Sequence, residues 1–133
     1  MNVERLKELT KLLSTIPETN FDLDAWSGGE NLIGVEQQNL IECGTVCCAV
    51  GWACSHPPFI EQGLHWGKYD YPKYQDSIAW DAVEAFFEIP LEIAEYLFLT
   101  DSYNIANIKP QDVIERINDI IEDTELYDFI ANQ

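Results

Sequence analysis

After Lys73 the chain carries fourteen Asp or Glu residues and only two basic ones, Lys109 and Arg116. Many of these acids recur at helical spacing beside an apolar stripe of the same period. A segment of that kind folds as amphipathic helices with apolar inner faces and almost purely negative outer ones. Folding demands the apolar stripe, but it does not demand that the solvated stripe carry one sign. The formal net charge of −17 goes far beyond the magnitude of about 2 to 8 that keeps a small domain soluble. Such a charge repels itself and opposes the compact state. It also disfavours direct binding to nucleic acid or to anionic membranes, which reward clustered Lys and Arg. A partner of this chain should be basic.

A hydrophobic fraction of 47% over 133 residues argues for an ordinary packed domain despite the charge, a single acidic helical domain over 1–133. The start, Met1-Asn2-Val3-Glu4-Arg5-Leu6-Lys7-Glu8, is charged and amphipathic, without the apolar centre of a secretory leader. No apolar run approaches the roughly 20 residues that span a bilayer. Cys43, Cys47, Cys48 and Cys54 lie close together instead of being spread as a disulfide framework, so a reducing, cytoplasmic setting is expected.

Along the chain, residues 2 to 16 read as a helix with Val3, Leu6, Leu9, Leu13 and Ile16 inward, stopped by Pro17. Phe21-Asp22-Leu23-Asp24-Ala25-Trp26 reads as an extended segment laying Phe21 and Trp26 on the core. Residues 27 to 42 read as a glycine-containing loop with room for a strand or hairpin near 32 to 41. Thr45 is placed as the N-cap of a helix running to about Cys54, with Val46, Ala49, Val50 and Ala53 buried and Gly51 allowing close approach. His56-Pro57-Pro58 ends it. Residues 57 to 75, holding Phe59, Trp66, Tyr69, Tyr71 and Tyr74, read as a long aromatic loop.

Three helices follow. Asp76 or Ser77 caps one with Ala79, Ala82, Val83, Phe86 and Phe87 inward. Pro90 opens the next, with Leu91, Ala94, Leu97 and Phe98 inward. Pro110 opens the clearest, with Val113, Ile114, Ile117, Ile120 and Ile121 inward. A short last helix from Thr124 is expected to bury Leu126, Phe129 and Ile130. The fold class is mainly α: a single-domain bundle of about five to six helices with a long aromatic loop and room for a small β-hairpin.

Phe21-Asp22 with Trp26, the run Cys43-Gly44-Thr45-Val46-Cys47-Cys48-Ala49-Val50-Gly51-Trp52-Ala53, the apolar helix pair from Phe86 to Phe98 and the Ile-rich helix from Val113 to Ile121 occur in that order. This pattern resembles a family of small, mostly uncharacterised phage and bacterial proteins sharing Phe-Asp-x-x-x-Trp followed by Cys-Gly-Thr-x-x-Cys-x-x-Gly-Trp-Ala. The resemblance covers roughly residues 20 to 122 and brings no established activity. It implies a cytosolic protein encoded by a phage or another mobile element. It also implies structural roles for Cys43, Gly44, Thr45, Cys48, Gly51 and Trp52.

The candidate interaction residues are the acids. Asp81, Glu84 and Glu88 form one stripe, to which the Pro90 helix adds Glu92 and Glu95. Asp112, Glu115, Asp119 and Glu122 form another, with Asp123 beside it. Helical neighbours at i+3 or i+4 stand roughly 5 to 6 Å apart, against ~3.4 Å of axis between phosphates on one DNA strand. The charge densities are of the same order. An ordinary solvated face would interleave Lys at i+4, and here only Arg116 stands so, four residues after Asp112. Adaptation to high salt is a poorer account, given abundant Ile, Tyr and Cys and no Asp bias. Trp66, Tyr69 and Tyr71 would supply apolar anchoring, although aromatics on such a segment more commonly cover a core.

Other chemistries fit less well. Cys43, Cys47, Cys48, Cys54 and His56 hold the elements of a zinc site but no paired Cys-x-x-Cys spacing. Cys47 or Cys48 in a first helical turn could be a reactive thiol, or Cys43 and Cys48 could pair, but the negative surroundings oppose thiolate. Small buried core cysteines are the plainer reading. His56 and His65 lack a nucleophile and an orienting partner. Residues 101 to 107 lack the glycine and the closing Glu of a calcium loop. No catalytic residue, metal or cofactor is implied. The function expected is a non-enzymatic acidic protein binding a basic partner surface, such as an inhibitor mimicking nucleic acid on a host nucleic-acid-binding protein. The alternatives are a thiol- or zinc-dependent module centred on Cys43 to His56, and an accessory protein with no specific site.

Overall fold

The computed structural model describes residues 1–23, 48–68 and 71–133. The expected hairpin near 32 to 41, together with Trp26, Cys43, Gly44, Thr45, Val46, Cys47 and Tyr69, lies outside the described residues.

Helix α1 (Val3–Leu13) buries Leu6, Leu9 and Leu13 along one stripe. It packs against α2 (Ala49–Ala53), α4 (Ala79–Phe87) and α6 (Pro110–Glu122). Its N-cap Asn2 accepts from the N–H of Arg5 at 3.0 Å. It ends at Ser14, short of Pro17, whose restriction of the preceding residue disfavours further helix. Phe21 follows in extended conformation and is buried, as expected.

The cysteine segment differs from expectation. Cys48 is extended (φ −76°, ψ 175°) and is itself the N-cap, its Sγ accepting from Gly51 N–H at 3.3 Å. A helix continuous from Thr45 to Cys54 is therefore excluded. Trp52 is buried and donates through Nε1 to Asn20 O at 2.9 Å. A following helix, α3 (Pro57–Glu61), starts where the prolines were expected only to terminate. A prolyl residue blocks a helix interior but suits a first turn, where its N–H would have no partner.

The expected aromatic loop is largely ordered into secondary structure. Strands β1 (Leu64–Trp66), β2 (Pro72–Tyr74) and β3 (Ser77–Ile78) form an antiparallel sheet in that order, Leu64 opposite Tyr74 and Tyr74 opposite Ser77. Ser77 thus belongs to a strand, and α4 is capped by Ile78 without a side-chain bond, correcting the expected Asp76 or Ser77 cap. Helix α5 (Leu91–Phe98) has Pro90 as its N-cap, one position before the first turn. Pro110 does open α6, and α7 (Thr124–Ala131) closes the bundle against α5 and α6.

The fold is mainly α with one small sheet, and these elements share a continuous apolar core. Phe59, Phe86 and Phe87 meet edge to face at its centre, with centroids 5.0 to 6.0 Å apart, the arrangement their quadrupoles favour. Two residues expected to face inward are exposed. Leu91 is 41% exposed, its place taken by Ile93. Phe129 is 69% exposed. The inward side of α7 is set by Leu126, Tyr127, Ile130 and Ala131, and at 100° per residue Phe129 points about 130° away from their mean direction.

Two arginines join the pieces through carbonyl groups. Arg5 donates to Phe86 O (2.7 Å) and Gln62 Oε1 (2.9 Å) while lying over the Phe86 ring at 4.2 Å. Arg116 donates to Tyr96 O (2.7 Å), Ser102 Oγ (2.9 Å) and Ser102 O (2.9 Å), and stacks 3.6 Å above Tyr103. It ties α6 to the end of α5. A lysine cannot reproduce this fork or the stacked plane. Arg116→Lys should therefore cost about 1–2 kcal/mol in urea denaturation with an unchanged m-value; a midpoint equal to wild type would show that the clamp contributes nothing.

Candidate functional site

The hairpin of α4 and α5 brings the first acidic stripe together with the second helix's acids. Glu84 is half-buried, and its carboxyl is held above its ordinary value first by desolvation, then by the charges of Asp81, Glu92 and Glu95. The backbone of Leu91, the first residue of α5, opposes that rise. Asp81, Glu84, Glu92 and Glu95 thus form one electronegative surface. Glu88 stands apart from it. It ends α4 in the left-handed conformation (φ 55°, ψ 51°), and its carboxylate accepts from Asn2 Nδ2 at 2.8 Å.

The second surface lies along α6 and over its junction with α7. Glu115, Asp119 and Glu122 are exposed. Asp112 and Asp123 also serve the backbone. Asp112 Oδ2 accepts from Lys109 N–H at 2.8 Å, and Asp123 Oδ1 caps α7 by accepting from Leu126 N–H at 3.0 Å. Asp119, Glu122, Asp123, Thr124, Glu125 and Leu126 line a shallow groove of about 610 Å³ at the corner. None of the α6 carboxylates bears on Glu84, so the acids gather in two places.

The nearby cations do not neutralise either surface. Arg116, one turn beyond Asp112, was the residue expected to relieve the stripe. Its guanidinium faces Tyr96, Ser102 and Tyr103 instead. Between described residues the ion pairs are His56 with Glu8 (2.9 Å) and Lys109 with Glu18 (3.9 Å), neither of which includes a carboxylate of the two surfaces. Burial pushes the Tyr103 phenol far above its usual range, with Arg116 opposing, and the phenol donates to Leu97 O.

The aromatic residues divide. Trp66 is half-buried against the core, its Nε1 donating to Ser55 Oγ at 2.8 Å. Tyr71 lies over Gly67, where a Cβ would fall 2.3 Å from the ring. A larger residue at Gly67 would displace the Tyr71 ring, and both rings lie partly buried in the fold. Cys48 and Cys54 are buried in the core, and His56 is engaged by Glu8. Among the described residues no three His, Cys, Asp or Glu side chains are grouped to hold a metal ion. No helix among them is long and apolar enough to cross a membrane.

Sequence reasoning missed Glu125, Phe129 and the carbonyl role of Arg116. Glu125 continues the stripe at i+3 from Glu122 and was visible in the spacing. Comparison of the chain with protein-family models, curated proteins and solved structures finds no match.

The raised carboxyl of Glu84 makes a testable statement about stability. A carboxylate whose folded value exceeds its unfolded one favours folding only while protonated, and that contribution is lost as pH rises through the folded value. Glu84→Gln keeps the shape of the side chain and removes the repulsion. At pH 7 and low salt it should raise Tm by about 1–2 °C, a small figure because the group is partly solvated. The gain should vanish in acid or at high salt. An unchanged or lowered Tm at pH 7 would mean that the four charges do not repel measurably.

Proposed function

We propose that this chain is a non-enzymatic acidic protein that binds a basic protein surface, its carboxylates standing where the partner would otherwise meet phosphates. The observation that carries this reading is the disposition of charge. Two one-signed surfaces are left without ion pairs while both helix-joining arginines are turned to backbone carbonyls. A surface that served only solubility would tolerate interleaved lysines, which stabilise a helix by a few tenths of a kcal/mol per pair. The motif running from Phe21 to Ile121 adds the setting: a phage or mobile-element inhibitor acting in the cytoplasm on a host nucleic-acid-binding protein.

The test is affinity capture at low and high salt, with duplex DNA as competitor. A basic partner held by these faces should be released as ionic strength rises and displaced by DNA. Reversing Asp81, Glu92 and Glu95 to Lys, or Glu115, Asp119 and Glu122 to Lys, should weaken capture roughly tenfold or more. Glu84 is left intact because it is half-buried. Binding indifferent to salt and to both triple reversals would remove the proposal's basis.

A further inference from the structure

Helix α7 is the element whose surface the core explains least. It has no fully buried residue, and Phe129 is the most exposed large hydrophobic side chain among the described residues. Phe129 stands one turn beyond Leu126, which lines the groove together with Asp119, Glu122, Asp123 and Glu125. Glu125 and Phe129, at i and i+4, share one helical face. An apolar line from Leu126 to Phe129 therefore starts in an acidic groove and stays flanked by carboxylates, Asp128 included.

We propose that this line is a docking face for an amphipathic basic helix, with Phe129 as its apolar anchor. The inference rests on the basic-partner reading above and narrows it. Charge complementarity selects the occupant. A second copy of this chain would set like-signed rims against each other, with −17 on each molecule. A purely cationic strand would leave Phe129 in water. A helix with Lys or Arg flanking an apolar stripe satisfies both, in the mode where one helix lies against another's exposed apolar side. Aromatic side chains presented in this way carry a disproportionate share of binding energy.

The test uses the full chain and two synthetic peptides of equal length and charge, one with Lys and Leu at helical spacing and one with Lys, Gly and Ser only. Isothermal titration at physiological salt should give the amphipathic peptide roughly tenfold tighter binding. Phe129→Ala should abolish that advantage without changing the affinity for the apolar-free peptide. Amide shifts on titration should centre on residues 122 to 130. Because Phe129 is largely solvated, the variant should keep the wild-type Tm, so a loss of binding reports the face and not the fold. If Phe129→Ala binds both peptides as wild type does, the docking face is overturned while the acidic-surface reading stands. If neither peptide binds at low salt, both readings fall. If Phe129→Ala instead converts a dimer to a monomer in sedimentation, the face is homotypic and the proposal is overturned.

Discussion

An interior free of charged side chains beneath a predominantly acidic surface is the constraint from which the other features of the described residues follow. No charged side chain is buried among the described residues, so the carboxylates' repulsion is confined to the solvated shell, where water and salt moderate it. Leu6, Leu9 and Leu13 of α1, Ile93 and Leu97 of α5, and Val113, Ile117 and Ile120 of α6 close that interior. Burying such side chains stabilises by roughly 1.5–3 kcal/mol each before ordering costs, whereas like-charged neighbours on a helix surface destabilise by only a few tenths. The apolar term prevails, and the acidity is tolerated.

The arginines show how the bundle joins helices through carbonyl groups. A guanidinium presents a planar fork of donors and a face that stacks on aromatic rings. Arg5 uses both properties at Phe86, and Arg116 uses both at Tyr96, Ser102 and Tyr103. Carbonyls near helix ends lack partners within their helix, so a cation there satisfies the backbone and opposes the negative end of the helix dipole. Electrostatic compensation is thus directed to the main chain, and the side-chain carboxylates keep their field.

Periodicity carried most of the fold. Amphipathic stripes placed α1, α4, α5 and α6 because four or more apolar positions per helix overdetermine a face, whereas α7 was placed by three. What it could not resolve were features set by tertiary context. The cap of α2 fell to Cys48, a residue with no strong capping preference, and the prolines at 57 and 58 started a helix that periodicity over five residues cannot reveal. The sheet pairs locally, Leu64 with Tyr74 and Tyr74 with Ser77, but its strands of two or three residues are too short for alternation to show. Phe129 misled because hydrophobicity alone does not say which of Leu126, Tyr127, Phe129, Ile130 and Ala131 face inward. Spacing likewise put Arg116 beside Asp112, but the longer reach to Ser102 and Tyr96 prevailed.

Helix polarity separates the acids that folding can use from those that it cannot. Asp81 in the first turn of α4, Glu92 in that of α5, Asp112 in that of α6, and Asp123 and Glu125 at the start of α7 lie where the positive end of the dipole favours an anion. Asp119 and Glu122 occupy the last turn of α6, where an anion is opposed and that turn holds no basic residue; Glu95 occupies that of α5, whose end Arg116 meets at Tyr96 O. The start of α7 relieves Glu122 in part, but its N-cap is already taken by Asp123. Carboxylates that fold stability disfavours need another reason to be present, and a basic partner would supply it. Asp119 and Glu122 are the ones that open onto Leu126 and lead toward Phe129, so the polar and apolar features that the core leaves unexplained converge on a single corner of the molecule.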